Sequence, residues 1–411
     1  MSDVRQFSAH RRSSRVGTHT RGGWLLAGVI ALTACLLVGC GRDTGNKAAG
    51  PIPSSANSGS TTAADVGASM AGGTAPARTP SAPAADLRDG SPGPAAGGAE
   101  ASATPDPSAV YIGVWQPGAP GDMSALTQFE ARTGVHAGIV AWYQSWDNLT
   151  EDPDIAQLEA VAEHGSVPFI TWESQDYRNG SHQPQFSLAQ ILGGRYDDYV
   201  RRWAVALANY GKPVLLRWGH EMNGNWYAWG NGVDGNTAEQ FVAAWRHLHD
   251  IFTAAGANNV EWVWTPNLAG NSKSPLEIFY PGDSYVDWVG LDGSNRETYG
   301  WRTFTDLFES SYKRVTALTS KPFIIGEMGC GEAPNDPAGD KKAAWLTSTF
   351  THEIPQKFPR IRAFVWFNEN KIGVEDDGED WSLHTPNEWH AFGAAISQPP
   401  YVQVAPPLPL R

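Results

Sequence analysis

The chain has 411 residues, of which 18% are charged, with a net charge of −13, 44 glycines and 29 prolines. An acidic balance argues against nucleic acid and other polyanions as partners and suits a neutral polymer. Three cysteines, at 35, 40 and 330, supply neither a disulfide framework nor the Cys/His spacing of structural zinc, so no metal or cofactor is expected.

Arg5, Arg11, Arg12, Arg15 and Arg21 precede the apolar run WLLAGVIALTACLL, Trp24 to Leu37. The run is short for a membrane span and has the charge layout of a signal peptide. It ends in LVGC, which resembles a bacterial lipobox. Residues 1–39 are therefore expected to be a removed signal and Cys40 a lipidated N-terminus; an ordinary secretory signal cleaved elsewhere is the alternative. Residues 40–109 are mostly Ala, Gly, Ser, Pro and Thr. They cannot bury enough apolar surface to offset their ordering entropy, and a disordered tether is expected. The implied location is extracytoplasmic, anchored by lipid to a bacterial membrane or cell surface. Residues 110–400 are the size of one large domain, followed by a tail, 401–411.

Along that domain, apolar runs alternate with stretches of helical periodicity. The runs are YIGVW (111–115), AGIVAWY (137–143), VPFITWE (167–173) and PVLLRWGHE (213–221). They continue as VEWVWTPN (260–267), VDWVGLDG (286–293), PFIIGEMG (322–329) and IRAFVWFN (361–368). The stretch from Thr237 to Gly256 shows the helical pattern most clearly, with Thr237 as N-cap and Gly256 as stop. Near-continuous apolar strands alternating with helices indicate a parallel sheet covered by helices. Eight such units fit a (β/α)₈ TIM barrel, and no Gly-rich dinucleotide fingerprint follows the first run.

Catalytic groups of such barrels come from the C-terminal ends of the strands. Those ends carry Trp172, Arg217, His220, Glu221, Asn267, Asp292, Glu327 and Trp366, in a chain with 18 tryptophans. Large aromatics are platforms for the apolar faces of sugars, although core packing competes for each of them. Glu221, ending the fourth run, and Glu327, ending the seventh, can converge across a barrel mouth. Two carboxyls about 5–5.5 Å apart cleave a glycosidic bond with retention, one as nucleophile and one as acid/base. The aromatic NWYAW after Glu221 would favour its protonated form by penalising the charge. The competing reading makes both structural carboxylates, one paired with Arg217.

The stretch RWGHEMNGNWYAWG, Arg217 to Gly230, with PFIIGEMG, YPGDSYVDWVGLDG and VWFNENK, resembles glycoside hydrolase family 26, over about residues 110–398. The resemblance implies a retaining (β/α)₈ enzyme, dominated in that family by endo-β-1,4-mannanases. It implies Glu221 as acid/base, Glu327 as nucleophile, His220 in contact with sugar in the −1 subsite, Trp226 at the cleavage point and Trp366 as the −1 platform. Arg217, Trp172, Asn267 and Asp292 are further substrate-binding candidates. The implied partner is a β-linked plant polysaccharide (mannan, glucomannan or galactomannan), handled by a monomer. A β-1,3-1,4-glucanase or β-1,3-xylanase would use the same pair. A non-catalytic carbohydrate-binding barrel and a metalloenzyme are readings from other classes. One departure stands out. The family often places a tyrosine against the nucleophile where this chain has Ser294, so Tyr299 or another neighbour would have to hold Glu327. Cys330 reads as a small buried residue.

Overall fold

The computed structural model describes residues 106–272, 274–333, 335–372 and 378–409. The expected leader, Cys40 and the expected tether up to residue 105 lie outside them. Among the described residues no helix is long and apolar enough to cross a membrane.

Eight strands form the centre: β1 (Val110–Trp115), β2 (Ile139–Ser145), β3 (Val167–Glu173), β4 (Val214–Trp218), β5 (Val260–Trp264), β6 (Trp288–Asn295), β7 (Phe323–Cys330) and β8 (Ile361–Phe367). Each pairs in parallel with the next, and β8 returns to β1 in register Gly113↔Val365. The sheet closes on itself as a (β/α)₈ barrel. A short β9 (Tyr401–Val402) adds to the start of β1, so the first residues of the expected tail are part of the sheet.

The wall is α1 (Ser124–Thr133), α2 (Ile155–Glu163), α3 (Leu188–Leu192), α4 (Asp197–Tyr210), α5 (Ala238–Ala254), α6 (Phe304–Leu318), α7 (Asp340–Ser348), α8 (Ile354–Lys357) and α9 (Pro386–Ile396). Helix α5 begins as its sequence demands. Thr237 Oγ1 accepts from the Gln240 amide while Gln240 Oε1 accepts from the Thr237 amide, a reciprocal cap of two orphan N–H groups. Between β5 and β6 the expected helix is replaced by 3₁₀ turns, the longest being Leu276–Phe279.

Strand alternation sorts the apolar residues into two layers. Tyr111, Ile139, Ala141, Phe169, Leu215, Val263, Ile324, Val365 and Phe367 fill the barrel interior. Val140, Ile170, Trp172, Leu216, Trp264, Phe364 and Trp366 pack outward, beneath the helices. Because successive side chains point to opposite faces, this parity decides which strand-end residue can reach the mouth.

Candidate active site

Strand β4 delivers Arg217 inward and stops at Trp218, earlier than its apolar run suggests. Gly219 (φ 60°) and Glu221 (φ 53°) both adopt left-handed backbone, which turns the chain over the barrel rim. The Glu221 amide donates to Thr265 O at 2.8 Å, pinning this turn beside the end of β5. Across the mouth, β7 breaks register with both neighbours, between Leu291 and Asp292 of β6 and between Ile325 and Met328 of its own chain. Such irregularities re-aim side chains at barrel rims, and Glu327 lies within this one. Gly326 permits the arrangement: a Cβ there would come within 2.5 Å of Asp292 Oδ1 and 2.9 Å of Arg217 Nη1.

Glu327 is surrounded by donors. Tyr143 Oη donates to its Oε1 at 2.6 Å, Arg217 Nη2 donates to the same oxygen at 2.7 Å, and His220 Nε2 stands 3.8 Å away. Burial alone would raise the carboxyl, but Arg217, His220, Tyr143 and Lys371 outweigh it and bring it down to about 2. The charged form is therefore the resting form. Arg217 also donates to Asp292 Oδ1 at 2.9 Å and to Thr171 Oγ1 at 2.7 Å. Burial raises Asp292 well above the usual carboxylate range despite Arg217, with Glu327 and Glu221 adding to the rise. One guanidinium thus serves two carboxyls, and Glu327 keeps the charge.

Glu221 has different neighbours. Trp226 Nε1 donates to Oε2 at 2.6 Å and Asn267 Nδ2 donates to Oε1 at 2.5 Å. Asn267 is itself fixed by Asn223 Oδ1, 2.9 Å from its amide, and pairs with Asp292 as an isolated bridge. A continuous path of buried groups, Asn267–Asp292–Arg217, therefore joins one glutamate to the other.

Seven of the nine residues singled out for the cleft do come together: Glu221, Glu327, His220, Trp226, Arg217, Asn267 and Asp292. Arg217, Asn267 and Asp292 do so as supports beneath the carboxyls, each at most 1% exposed. His220 is fully buried and packs between Tyr227 (4.5 Å between ring centroids) and Trp229 (5.5 Å), facing Glu327 rather than open space.

Trp172 and Trp366 need correcting. Both have outward parity: Trp172 stacks on Trp203 at 5.0 Å and Trp366 lies against Phe392 of α9 at 5.2 Å. Neither can be a sugar platform. The cavity beside Glu327 is lined instead by Tyr143, Tyr227, Phe367, Lys371 and Trp381, together with Ser294. Tyr143 and Phe367 are the inward neighbours of tryptophans at the ends of β2 and β8, a parity readable from alternation along those strands. Trp381 lies beyond β8 in a connection that carries no periodic signal.

Ser294 lines the cavity but does not leave the nucleophile candidate without a phenol, since Tyr143 supplies one from β2. Tyr299 is 53% exposed and lies over the Arg296 guanidinium. A third carboxyl, Glu173 at the end of β3, is pushed up to about 8, first by burial and then by Glu327. Cys330 is fully buried, which pushes its thiol up and disfavours the thiolate.

The fold and site define a (β/α)₈ barrel whose mouth holds two differently partnered glutamates, Glu221 buried and Glu327 partly open to the cavity. Residues 170–348 match glycosyl hydrolase family 26, to which the chain belongs. It is 34% identical over 310 residues to endoglucanase H of Acetivibrio thermocellus, a match covering 71% of this chain and 31% of that one. It is 34% identical over 199 residues to mannan endo-1,4-beta-mannosidase A and B of Caldalkalibacillus mannanilyticus, covering 46% and 35% respectively. A mannan endo-1,4-beta-mannosidase of Bacillus subtilis is 30% identical over 195 residues, covering 45% and 48%. The chain thus spans between about a third and a half of the length of these curated relatives. Among solved structures, a Bacillus subtilis mannanase superposes with a TM-score of 0.53 at 22% identity, over 72% of this chain and 87% of that one. A GH26 beta-mannanase of Bacteroides ovatus gives 0.54 at 19%, over 72% and 91%. At those identities the likeness concerns the fold.

Proposed function

We propose that this protein is a retaining, endo-acting glycoside hydrolase that cleaves β-1,4-mannosidic linkages in mannans. The observation that carries the reading is the unequal treatment of the two glutamates. Glu327 is held ionised by Arg217, His220 and Tyr143, as a nucleophile requires. Glu221 accepts instead from the neutral donors Trp226 Nε1 and Asn267 Nδ2. In the first step Glu327 attacks the anomeric carbon as the glycosidic C–O bond breaks, and Glu221 gives its proton to the departing oxygen. In the second, Glu221 takes a proton from water, whose oxygen displaces Glu327 and restores both groups. The relatives named as mannan endo-1,4-beta-mannosidases support mannan as substrate.

A second reading is a mixed-linkage β-glucan as substrate. It is favoured by the length of the match to a protein named endoglucanase H, 310 residues against 199 for the first mannosidase. Product analysis on galactomannan, glucomannan and mixed-linkage glucan side by side separates the two. Oligosaccharides from galactomannan, with retained anomeric configuration, are expected. Release from mixed-linkage glucan alone would replace mannan by glucan and leave the chemistry standing. Loss of hydrolysis with continued sugar binding in Glu327→Ala is expected as well; unchanged hydrolysis in that variant would overturn the assignment.

The same proposal includes a lipid anchor at Cys40 and a tether that holds a monomeric catalytic domain away from a bacterial surface, supported by the leader and the composition of the following segment. In a bacterial host, Cys40→Ser should move the protein from the membrane fraction to the soluble one.

A further inference from the structure

The floor of the barrel, opposite the cleft, holds a separate group of ionisable side chains. Glu130 lies near the end of α1, His136 in the connection to β2, and His164 caps α2. Each offers one ligand atom, and the three atoms lie within 4.8 Å of one another. Thirty-four positions separate Glu130 from His164, so no local motif announces the group.

Hydrogen bonding fixes the proton on one of these imidazoles. His164 Nδ1 is 2.8 Å from Ser166 Oγ, and that hydroxyl already donates to Ala137 O at 2.6 Å. Nδ1 must therefore carry the proton and donate, which in a neutral ring leaves a bare lone pair on Nε2. That lone pair points at Glu130 Oε2 across 3.0 Å. Two acceptors at this distance need a positive charge between them, a second ring proton or a metal ion.

The other half of the cluster favours the ion. His136 Nδ1 lies 3.1 Å from Glu130 Oε1, and the two imidazoles stack at 4.6 Å with 27° between planes. Without an ion, His164 would need a second proton while His136 donates to the same carboxylate as a neutral ring, whereas one divalent cation satisfies both rings and the carboxylate together. The backbone presets the ligands: the Ala137 amide donates to Glu130 Oε1 at 2.8 Å and the His136 amide to Gln403 Oε1 at 3.1 Å. A contrast lies near α9, where Glu332, His384 and Glu388 also cluster, but Lys342 Nζ sits 2.7 Å from Glu332 and 3.6 Å from Glu388 and already supplies the cation.

We propose that Glu130, His136 and His164 form a site for zinc or a divalent ion of similar softness, clamping α1, the start of β2 and the α2–β3 connection. Two imidazoles and one carboxylate are a zinc donor set, and Ser166 is the outer partner that orients a ligating histidine. The three side chains are 34%, 16% and 16% exposed in the order His136, His164, Glu130, which leaves solvent access and a fourth position for water. Calcium and magnesium, which take oxygen ligands, do not fit.

The test is calorimetric titration of tag-free, full-length, chelator-treated protein with zinc chloride at pH 7.5, with magnesium chloride in parallel. One zinc per chain and no magnesium response are expected. At zinc a hundredfold above Kd, Tm should rise by roughly 5 °C. His164→Ala and the milder His136→Gln should each weaken binding by about tenfold or more. Ser166→Ala should weaken it by about tenfold with all three ligands intact. Hydrolysis at the opposite face should not change. Absence of saturable zinc binding, or equal binding by wild type and folded His136→Gln, would overturn the proposal.

Discussion

Tyr143 Oη donates a 2.6 Å hydrogen bond to Glu327 Oε1 from β2, with 184 positions between them in sequence. The contact does the work that a tyrosine at the position of Ser294 would do from β6, and it frees that position to line the cavity. Tyr143→Phe removes a bond to a charged acceptor, of about 1.5–3 kcal/mol. The expected result is a fall in kcat of about 10–100-fold with KM little changed, measured on galactomannan. Ser294→Tyr in that background should not restore it, because the new ring enters the cavity. A kcat within twofold of wild type in Tyr143→Phe would count against this role.

Arg217 is the single cation between Asp292 and Glu327. Arg217→Met takes the cation from buried Asp292 and from the partly exposed, charged Glu327, and should destabilise the fold by at most about 3–5 kcal/mol, read from urea unfolding. It should also move the acid limb of kcat/KM upward, since Glu327, at about 2 in the intact site, loses its main stabiliser. Arg217→Lys keeps the charge without the fork and should fall between the two.

Glu173 gives a stability effect of opposite sign to the usual carboxylate. Its folded value is raised to about 8 from 4.5, so the folded state binds its proton more tightly than the unfolded state. The stability it contributes is present below 4.5 and is lost as pH rises through 8. Glu173→Gln should therefore gain Tm over wild type at pH 8 but not at pH 4.5. An identical pH dependence of the two proteins would exclude the buried acid.

Trp366 packs under α9 rather than in the cleft. Trp366→Leu should cost roughly 2–4 kcal/mol of stability by leaving a cavity, while KM stays within about twofold. A selective rise in KM with unchanged Tm would return Trp366 to the substrate.

The barrel was legible because each strand is an apolar run and each end carries a change of composition. Glu221 and Glu327 were legible for the same reason, as carboxyls at the ends of two such runs. Trp172 and Trp366 misled because strands buried on both faces hide their parity: Trp366 and Phe367 are equally apolar, and only one faces inward. Alternation could have separated them, since Ala363, Val365 and Phe367 share one face and Phe364 and Trp366 the other. The pairing of Tyr143 with Glu327 and the clustering of Glu130 with His164 had no local trace. They depend on closure of the sheet and on which connections meet at its two ends.

Glu221 holds its carboxyl on a backbone, φ 53°, that side-chain-bearing residues adopt at a cost of roughly 1–3 kcal/mol. The residue best suited to that backbone is glycine or asparagine, neither of which can carry a proton to a leaving group. In a lineage where cleavage ceased to be selected, this position would be among the first to drift, and the drift would make the barrel sturdier. With Glu221 as the proposed acid/base, a glycine or asparagine at position 221 in an otherwise intact homologue would mark a descendant that kept the cleft and gave up the reaction.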